Sequence, residues 1–332
     1  MNYILLICTL ISFSIVYTFT PWFIRYLQKI GLVVQDQNKK NKPLVPLSGG
    51  LIVFGGIVSG LLFFVFVRTF FQFSLMGFDE FSLTLIFAAM LSIFLITLVG
   101  FLDDLVIKSD KSTSVGLKQW QKPLLTLVAA VPLMAVKAGT TTMTFPFYGF
   151  VDVGLLYPLL FVPLGVVGAA NMINMLAGFN GQETGMGLVY TGMLGFYGIY
   201  HDELLASLIS FVVFGALLGF YMFNKTPAKI LPGDSLTYLL GGVLASIIII
   251  GNFEKAGLVI AIPFFVEFIL KWRGDFKEQS YGKFENGKLY PLTDKIYSIP
   301  HIFIRNGRVT EKQLNLIMIL IQLFFASLIW LI

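Results

Sequence analysis

The chain has 332 residues, of which 57% are hydrophobic and only 12% charged, with 34 phenylalanines. A soluble domain of this length has no interior large enough to hide so much apolar side chain, which excludes an ordinary globular protein. The formal charge of +5 is modest; it points to no nucleic-acid partner, and what informs is where the charges fall.

Apolar runs near 3–23, 49–68, 82–101, 122–137, 155–172, 185–200, 204–222, 235–252, 256–271 and 312–332 predict about ten membrane-spanning helices. The fourth, fifth, sixth and ninth are interrupted by glycine, proline or polar residues. The first run lacks a basic start and a small-residue cleavage site, so it reads as a span and not as a cleaved signal. It holds the single cysteine, Cys8, which leaves no intramolecular disulfide. Of the 23 Lys and Arg residues, all but Arg68, Lys137, Lys255 and Lys312 fall on loops that follow odd-numbered spans. By the positive-inside rule those loops face the cytoplasm, and with an even number of spans both termini lie outside. The expected fold is an all-α polytopic membrane protein, one integral membrane domain over 1–332.

The loops on the outer side look plain. Thr140 to Val153 alternates Thr, Phe and Tyr around Gly149 and predicts a small external β-hairpin. His201-Asp202-Glu203 reads as a solvated turn. The cytoplasmic loops hold nearly every unusual residue. The first, Asp36 to Gly50, carries lysines suited to anionic head groups, and two prolines with Gly49-Gly50 that predict an irregular backbone entering the second span. The second begins Gly100-Phe-Leu-Asp-Asp-Leu105 and ends Gln119-Trp-Gln-Lys-Pro123. The last, 272–311, is long for a plain connection. Within it Phe284-Glu-Asn-Gly-Lys-Leu289 predicts a hairpin, and Pro300-His-Ile-Phe-Ile-Arg305 follows.

Four segments carry chemistry. Asp103 and Asp104 are adjacent carboxylates at the inner end of span three, and like charges so close call for a cation nearby. Asp234 opens span eight at a matching depth; it could cap a helix, but acids at membrane depth are usually functional. Carboxylate and amide oxygens are hard ligands suited to Mg²⁺ completed by phosphate oxygens, and no Cys/His cluster supports zinc. Asn171-Met-Ile-Asn-Met-Leu-Ala-Gly-Phe-Asn-Gly181 ends an apolar run with three amides. Asn171 and Asn174 share a helix face, and the glycines beside Asn180 let backbone approach a ligand. Such amides suit reading a uracil edge or filling a metal shell. His301 and Arg305 lie in a basic loop, and Arg binds phosphate in bidentate fashion. Acids, amides and bases thus gather on one face, which favours an enzyme over a transporter with polar groups at the midplane.

These motifs resemble those of the polyprenyl-phosphate N-acetylhexosamine-1-phosphate transferase superfamily (glycosyltransferase 4). That family includes the bacterial muramyl-pentapeptide transferase and the dolichyl-phosphate GlcNAc-1-phosphate transferase. The resemblance spans nearly the whole chain through five segments in order: Lys42 to Gly50, Gly100 to Asp104, Asn171 to Gly181, Gly233 to Gly242 and His301 to Arg305. Bacterial members usually carry Asp where this chain has Ala177, and the run ending at Glu183 looks like the archaeal and eukaryotic branch. A third family aspartate is replaced by Ile107, with Asp110 as the nearest substitute. The resemblance implies transfer of GlcNAc-1-phosphate from UDP-GlcNAc to a polyprenyl or dolichyl phosphate, with release of UMP, as the first membrane step of glycan assembly. It implies Asp103 and Asp104 as the catalytic pair, and Asn174 and Asp234 as ligands of Mg²⁺, for which Mn²⁺ can substitute. Substrate contacts fall to Lys42, Lys122, Asn171, Asn180 (uracil), Glu183, His301 and Arg305. The expected location is a cell membrane, or the endoplasmic reticulum in a eukaryote, and a homodimer is allowed. The rival readings are another UDP-sugar such as UDP-MurNAc-pentapeptide, an ion-coupled transporter and a non-catalytic regulator.

Overall fold

A computed structural model describes residues 2–71, 80–109, 116–145 and 148–332. It opens with α1 (Asn2–Lys29), a short antiparallel pair β1 (Val33–Gln35) and β2 (Leu44–Pro46), α2 (Gly50–Phe71) and α3 (Glu80–Ser109). Next come α4 (Gln121–Val128), α5 (Val131–Ala135) and the pair β3 (Thr142–Phe145) and β4 (Gly149–Asp152). A π-helical turn, Tyr157–Phe161, leads into α6 (Val162–Leu176), followed by α7 (Gln182–Tyr200), α8 (Leu204–Asn224) and α9 (Gly233–Gly251). The chain ends with α10 (Glu254–Ile260), α11 (Ile262–Trp272), β5 (Gly282–Glu285), β6 (Lys288–Pro291), α12 (Ile299–Ile304) and α13 (Glu311–Ser327).

Among the described residues, seven helices are long and apolar enough to cross a membrane: α1, α2, α3, α6 with its π turn, α8, α9 and α13 with its last turn. The chain is a multi-pass membrane protein. The fourth and ninth expected spans are each broken into two short helices, α4–α5 and α10–α11. Proline explains both breaks: Pro132 and Pro263 sit in the first turn of α5 and α11, where a missing N–H costs nothing but the preceding helix cannot continue. The sixth, α7, is long enough but is diluted by its Gln182-Glu183-Thr184 start and its glycines. Both expected hairpins are present. The second turns on Asn286 and Gly287, at φ of 47° and 80°, as a two-residue Asn-Gly turn requires.

α9 is the axis of the bundle. Over its most apolar stretch 83% of the residues are buried inside the protein, against 28% for α1. A helix so enclosed is hydrophobic on all sides, and Leu236 through Ile250 reads that way. Its neighbours approach it through glycines. Gly50 of α2 and Gly100 of α3 lie against the backbone of Asp234, Ser235 and Leu236, and Gly241 of α9 lies against the backbone of Ala169 and Ala170 in α6. Without a strong hydrophobic drive between helices in lipid, such small-residue contacts let backbones pack closely.

The segment after α11 folds back under the bundle. The buried Glu267 carboxylate accepts the Ile299 N–H at 2.8 Å, and Lys271 donates to the Glu278 carbonyl at 2.8 Å. The Ser280 hydroxyl donates to the carbonyl of Met175 at the end of α6, at 3.1 Å. His301, 1% exposed, packs into this junction. Burial first, and the Lys271 ammonium second, push its imidazole down to about 4.

Two outcomes follow. Gly241→Val drives α9 and α6 apart and lowers the unfolding temperature in detergent by several degrees, as a core overpacked by about 1–3 kcal/mol would show. For His301, the folded state holds the neutral ring, so its contribution is full above the ordinary histidine pKa near 6.5 and is lost as pH falls towards 4. The unfolding temperature therefore drops between pH 7 and pH 5, and this slope is shallower in His301→Gln.

Candidate active site

Where α3 and α6 end and α9 begins, the described residues enclose a cavity of about 980 Å³. Asp104, Lys122, Asn171, Asn174, Asn180, Glu183 and Asp234 line it. Asp103 stands directly behind, and Lys42, His301 and Arg305 do not reach it. Lys42 and Arg305 are exposed, while His301 is buried beneath the wall formed by residues 276–281. Asp110 lies outside the described residues.

Consecutive residues on a helix point about 100° apart, so Asp103 and Asp104 serve different partners. Asp104 is fully buried and its two oxygens are engaged. One accepts the N–H of Asp234 at 2.7 Å; the other accepts the Ser48 hydroxyl at 2.8 Å and the N–H of Ser235 at 3.3 Å. Those N–H groups are the unpaired donors of the first turn of α9, which has no side-chain cap of its own. Asp104 is thus the N-terminal cap of α9, supplied by α3. Gly233 makes this contact possible: its φ is +70°, and a Cβ there would collide with the Asp104 carboxylate.

Asp103 faces the other way. It pairs with the Lys122 ammonium at 2.6 Å and accepts the Leu117 N–H at 2.5 Å. Lys122 also lies 3.2 Å from Asp234 Oδ2, so one lysine bridges α3 and α9. Asn174 donates to the same Asp234 oxygen at 3.4 Å, and its own oxygen accepts the Thr237 hydroxyl at 2.8 Å. Asn171, one turn earlier on the same face, donates to Thr126 of α4 at 3.1 Å. The carboxylates outnumber the cation. Asp104 meets only neutral donors, and Asp103 and Asp234 share the single ammonium of Lys122. Among the described residues no cluster of three His, Cys, Asp or Glu side chains is placed to hold a metal alone. A metal here would draw hard oxygens from Asp234 and Asn174 and the remainder from water and substrate, the pattern that suits Mg²⁺.

The segment 177–181 turns between α6 and α7 and forms another wall. Gly181, at φ +86°, packs against Tyr221 and Lys225, so its freedom serves the turn and not the approach of a ligand. Glu183 turns back to accept the Gly178 N–H at 2.6 Å. Asn38 reaches over from the first loop, donating to the Gly178 carbonyl at 2.5 Å and accepting the Gly282 N–H at 2.9 Å.

Sequence reasoning passed over Asp36, Asn38, Glu267 and Lys271. The first two sit in a loop whose lysines drew attention away from them. The last two form an i, i+4 pair, 3.7 Å apart, in an otherwise apolar helix. A paired charge at such depth was a readable signal.

Comparison with known proteins gives the family. Residues 85–252 match the family described as glycosyl transferase family 4. A protein of Saccharolobus solfataricus is 35% identical over 325 residues, covering 97% of this chain and 94% of the relative. One of Sulfolobus acidocaldarius is 31% identical over 326 residues, covering 98% and 94%. Both are provisionally named UDP-N-acetylglucosamine–dolichyl-phosphate N-acetylglucosaminephosphotransferases. A phospho-N-acetylmuramoyl-pentapeptide-transferase of Listeria monocytogenes is 29% identical over 274 residues, covering 80% and 81%. With its family model matched over half of the chain and relatives matched over nearly its full length, the chain belongs to glycosyl transferase family 4.

Proposed function

We propose that this protein transfers GlcNAc-1-phosphate from UDP-GlcNAc to a polyprenyl or dolichyl phosphate, releasing UMP. It does so as one ten-span domain of the cell membrane, with the cavity on the cytoplasmic side and both termini outside. The observation that carries the reading is the joint placement of Lys122, Asn174 and Asp234 around one carboxylate oxygen at the cavity wall. An anion attacking an anion needs that arrangement of cation and hard oxygen ligands.

An oxygen of the lipid phosphate attacks the β-phosphorus of UDP-GlcNAc as the bond to the α-phosphate oxygen breaks, so UMP leaves with the electron pair. Asp234 and Asn174 would hold Mg²⁺, which supplies charge neutralisation on the diphosphate. Lys122 neutralises charge on the oxygens of the transferred group, and Asp103 holds that ammonium in place from behind. The acceptor's second pKa is near 6 by analogy with phosphorylated side chains, so it is mostly dianionic at neutral pH and positioning outweighs proton removal. Asp104 acts through α9: it sets the helix start that carries Asp234.

Purified protein given labelled UDP-GlcNAc, a short polyprenyl phosphate and Mg²⁺ forms a labelled lipid diphosphate and UMP. EDTA stops the reaction, and Mg²⁺ or Mn²⁺ restores it. No lipid product from UDP-GlcNAc, with product from UDP-MurNAc-pentapeptide, reverses the assignment of the sugar. Asp104→Asn sets an amide nitrogen among N–H donors at α9 and lowers kcat by about 100-fold or more, the scale of a lost electrostatic element in an active site. Asp103→Asn also lowers kcat, but its residual rate keeps the wild-type pH profile between about 6 and 8; a profile altered in that range would make Asp103 a base.

A further inference from the structure

Asn180 of the cavity wall is held through both its backbone and its side chain. Its N–H donates to Glu311 at 3.1 Å, and its carbonyl accepts from the Thr226 hydroxyl at 3.0 Å and from the Asn315 side chain. The backbone is therefore anchored to the start of α13 and to the turn after α8. The side chain is anchored separately: its nitrogen donates to Asp36 Oδ2 at 2.8 Å. Asp36 is only 4% exposed and is itself fixed. Its other oxygen accepts the Asn38 N–H at 3.3 Å, and Lys39 lies 3.2 Å from Oδ2 while also pairing with Glu311.

This chemistry has one consequence for the amide. An ionised carboxylate only accepts, so the Asn180 atom against it must be the nitrogen. Turning the amide over would set oxygen against oxygen in a buried place and lose the hydrogen bond to Asp36. The amide oxygen is then the branch left for a group bound in the cavity that Asn180 lines.

We propose that Asp36 is a positioning residue that sets base selectivity: it locks the Asn180 carboxamide so that a hydrogen-bond acceptor faces the nucleobase. This rests on the reading above of a uridine diphosphate sugar as donor. Uracil offers its N3–H to such an acceptor. Cytosine presents an unprotonated N3, so acceptor meets acceptor, and a site built for a donor rejects a base that lacks it. Asp36 exerts this choice through Asn180 and not by touching the base.

The test uses the full-length protein in detergent, with UDP and CDP binding measured by calorimetry and turnover of UDP-GlcNAc alongside. Wild type binds UDP in preference to CDP. In Asp36→Asn the new amide can donate or accept, Asn180 can turn, and the UDP preference falls by about tenfold, with KM for UDP-GlcNAc rising more than kcat falls. In the double variant Asp36→Asn, Asn180→Asp the pair is exchanged. Asn at 36 donates to the new carboxylate, whose second oxygen again offers an acceptor, and the UDP preference returns. A role in stability alone predicts no such rescue. An unchanged preference in Asp36→Asn, or a double variant no more selective than the single one, overturns the inference. If Asp36→Asn does not fold, the double variant is compared directly with wild type, and loss of its UDP preference is the overturning result. A wild type that turns over UDP-GlcNAc yet binds UDP and CDP alike overturns this inference alone. Failure to bind either nucleotide overturns the substrate reading and the inference with it.

Discussion

One carboxylate fixes where everything else stands. Asp104, at the end of α3, fills the unpaired donor set at the start of α9 and accepts the Ser48 hydroxyl at the entry to α2. Three segments meet on two oxygen atoms in a place that water does not reach. Capping from within the same helix would have placed α9 freely. Capping from another helix makes the position of Asp234 a function of the α3 register, and so ties the site to the packing of the bundle.

The same economy shows in the glycines. Gly50 and Gly100 let α2 and α3 close on the first turn of α9, and Gly233 clears the space that the Asp104 carboxylate occupies. Each stands within a few residues of a polar group of the site. Their smallness sets the distances between polar groups, and a larger residue at any of them would move a ligand before it unfolded a helix.

Much of this was legible in the chain. Long apolar runs announced a membrane protein, and the Asn286-Gly287 pair announced its hairpin, because both are local rules. Asn171 and Asn174, on their shared face, and Asp234, at its depth, line one cavity. What was not legible depended on contacts far apart in sequence. Nothing local distinguishes Asp103, paired with Lys122, from Asp104, which caps α9. Asp36 looked like one polar residue in a basic loop until Asn180 was placed beside it. His301 and Arg305 stood close to the site motifs in character, but the fold-back after α11 puts one beneath the cavity wall and leaves the other exposed. Proline breaks at α5 and α11 likewise turned two expected spans into paired short helices.

The lysine between Asp103 and Asp234 has a consequence for how substrate arrives. A bare pair of carboxylates at the mouth of a cavity would repel a nucleotide diphosphate at long range and slow its capture. Lys122 cancels part of that field. On the proposed function, charge would be exchanged and not added: a cation held by the Asp234 oxygen would free the ammonium for a phosphate. The two arrivals would then be linked through one side chain, each making room for the other.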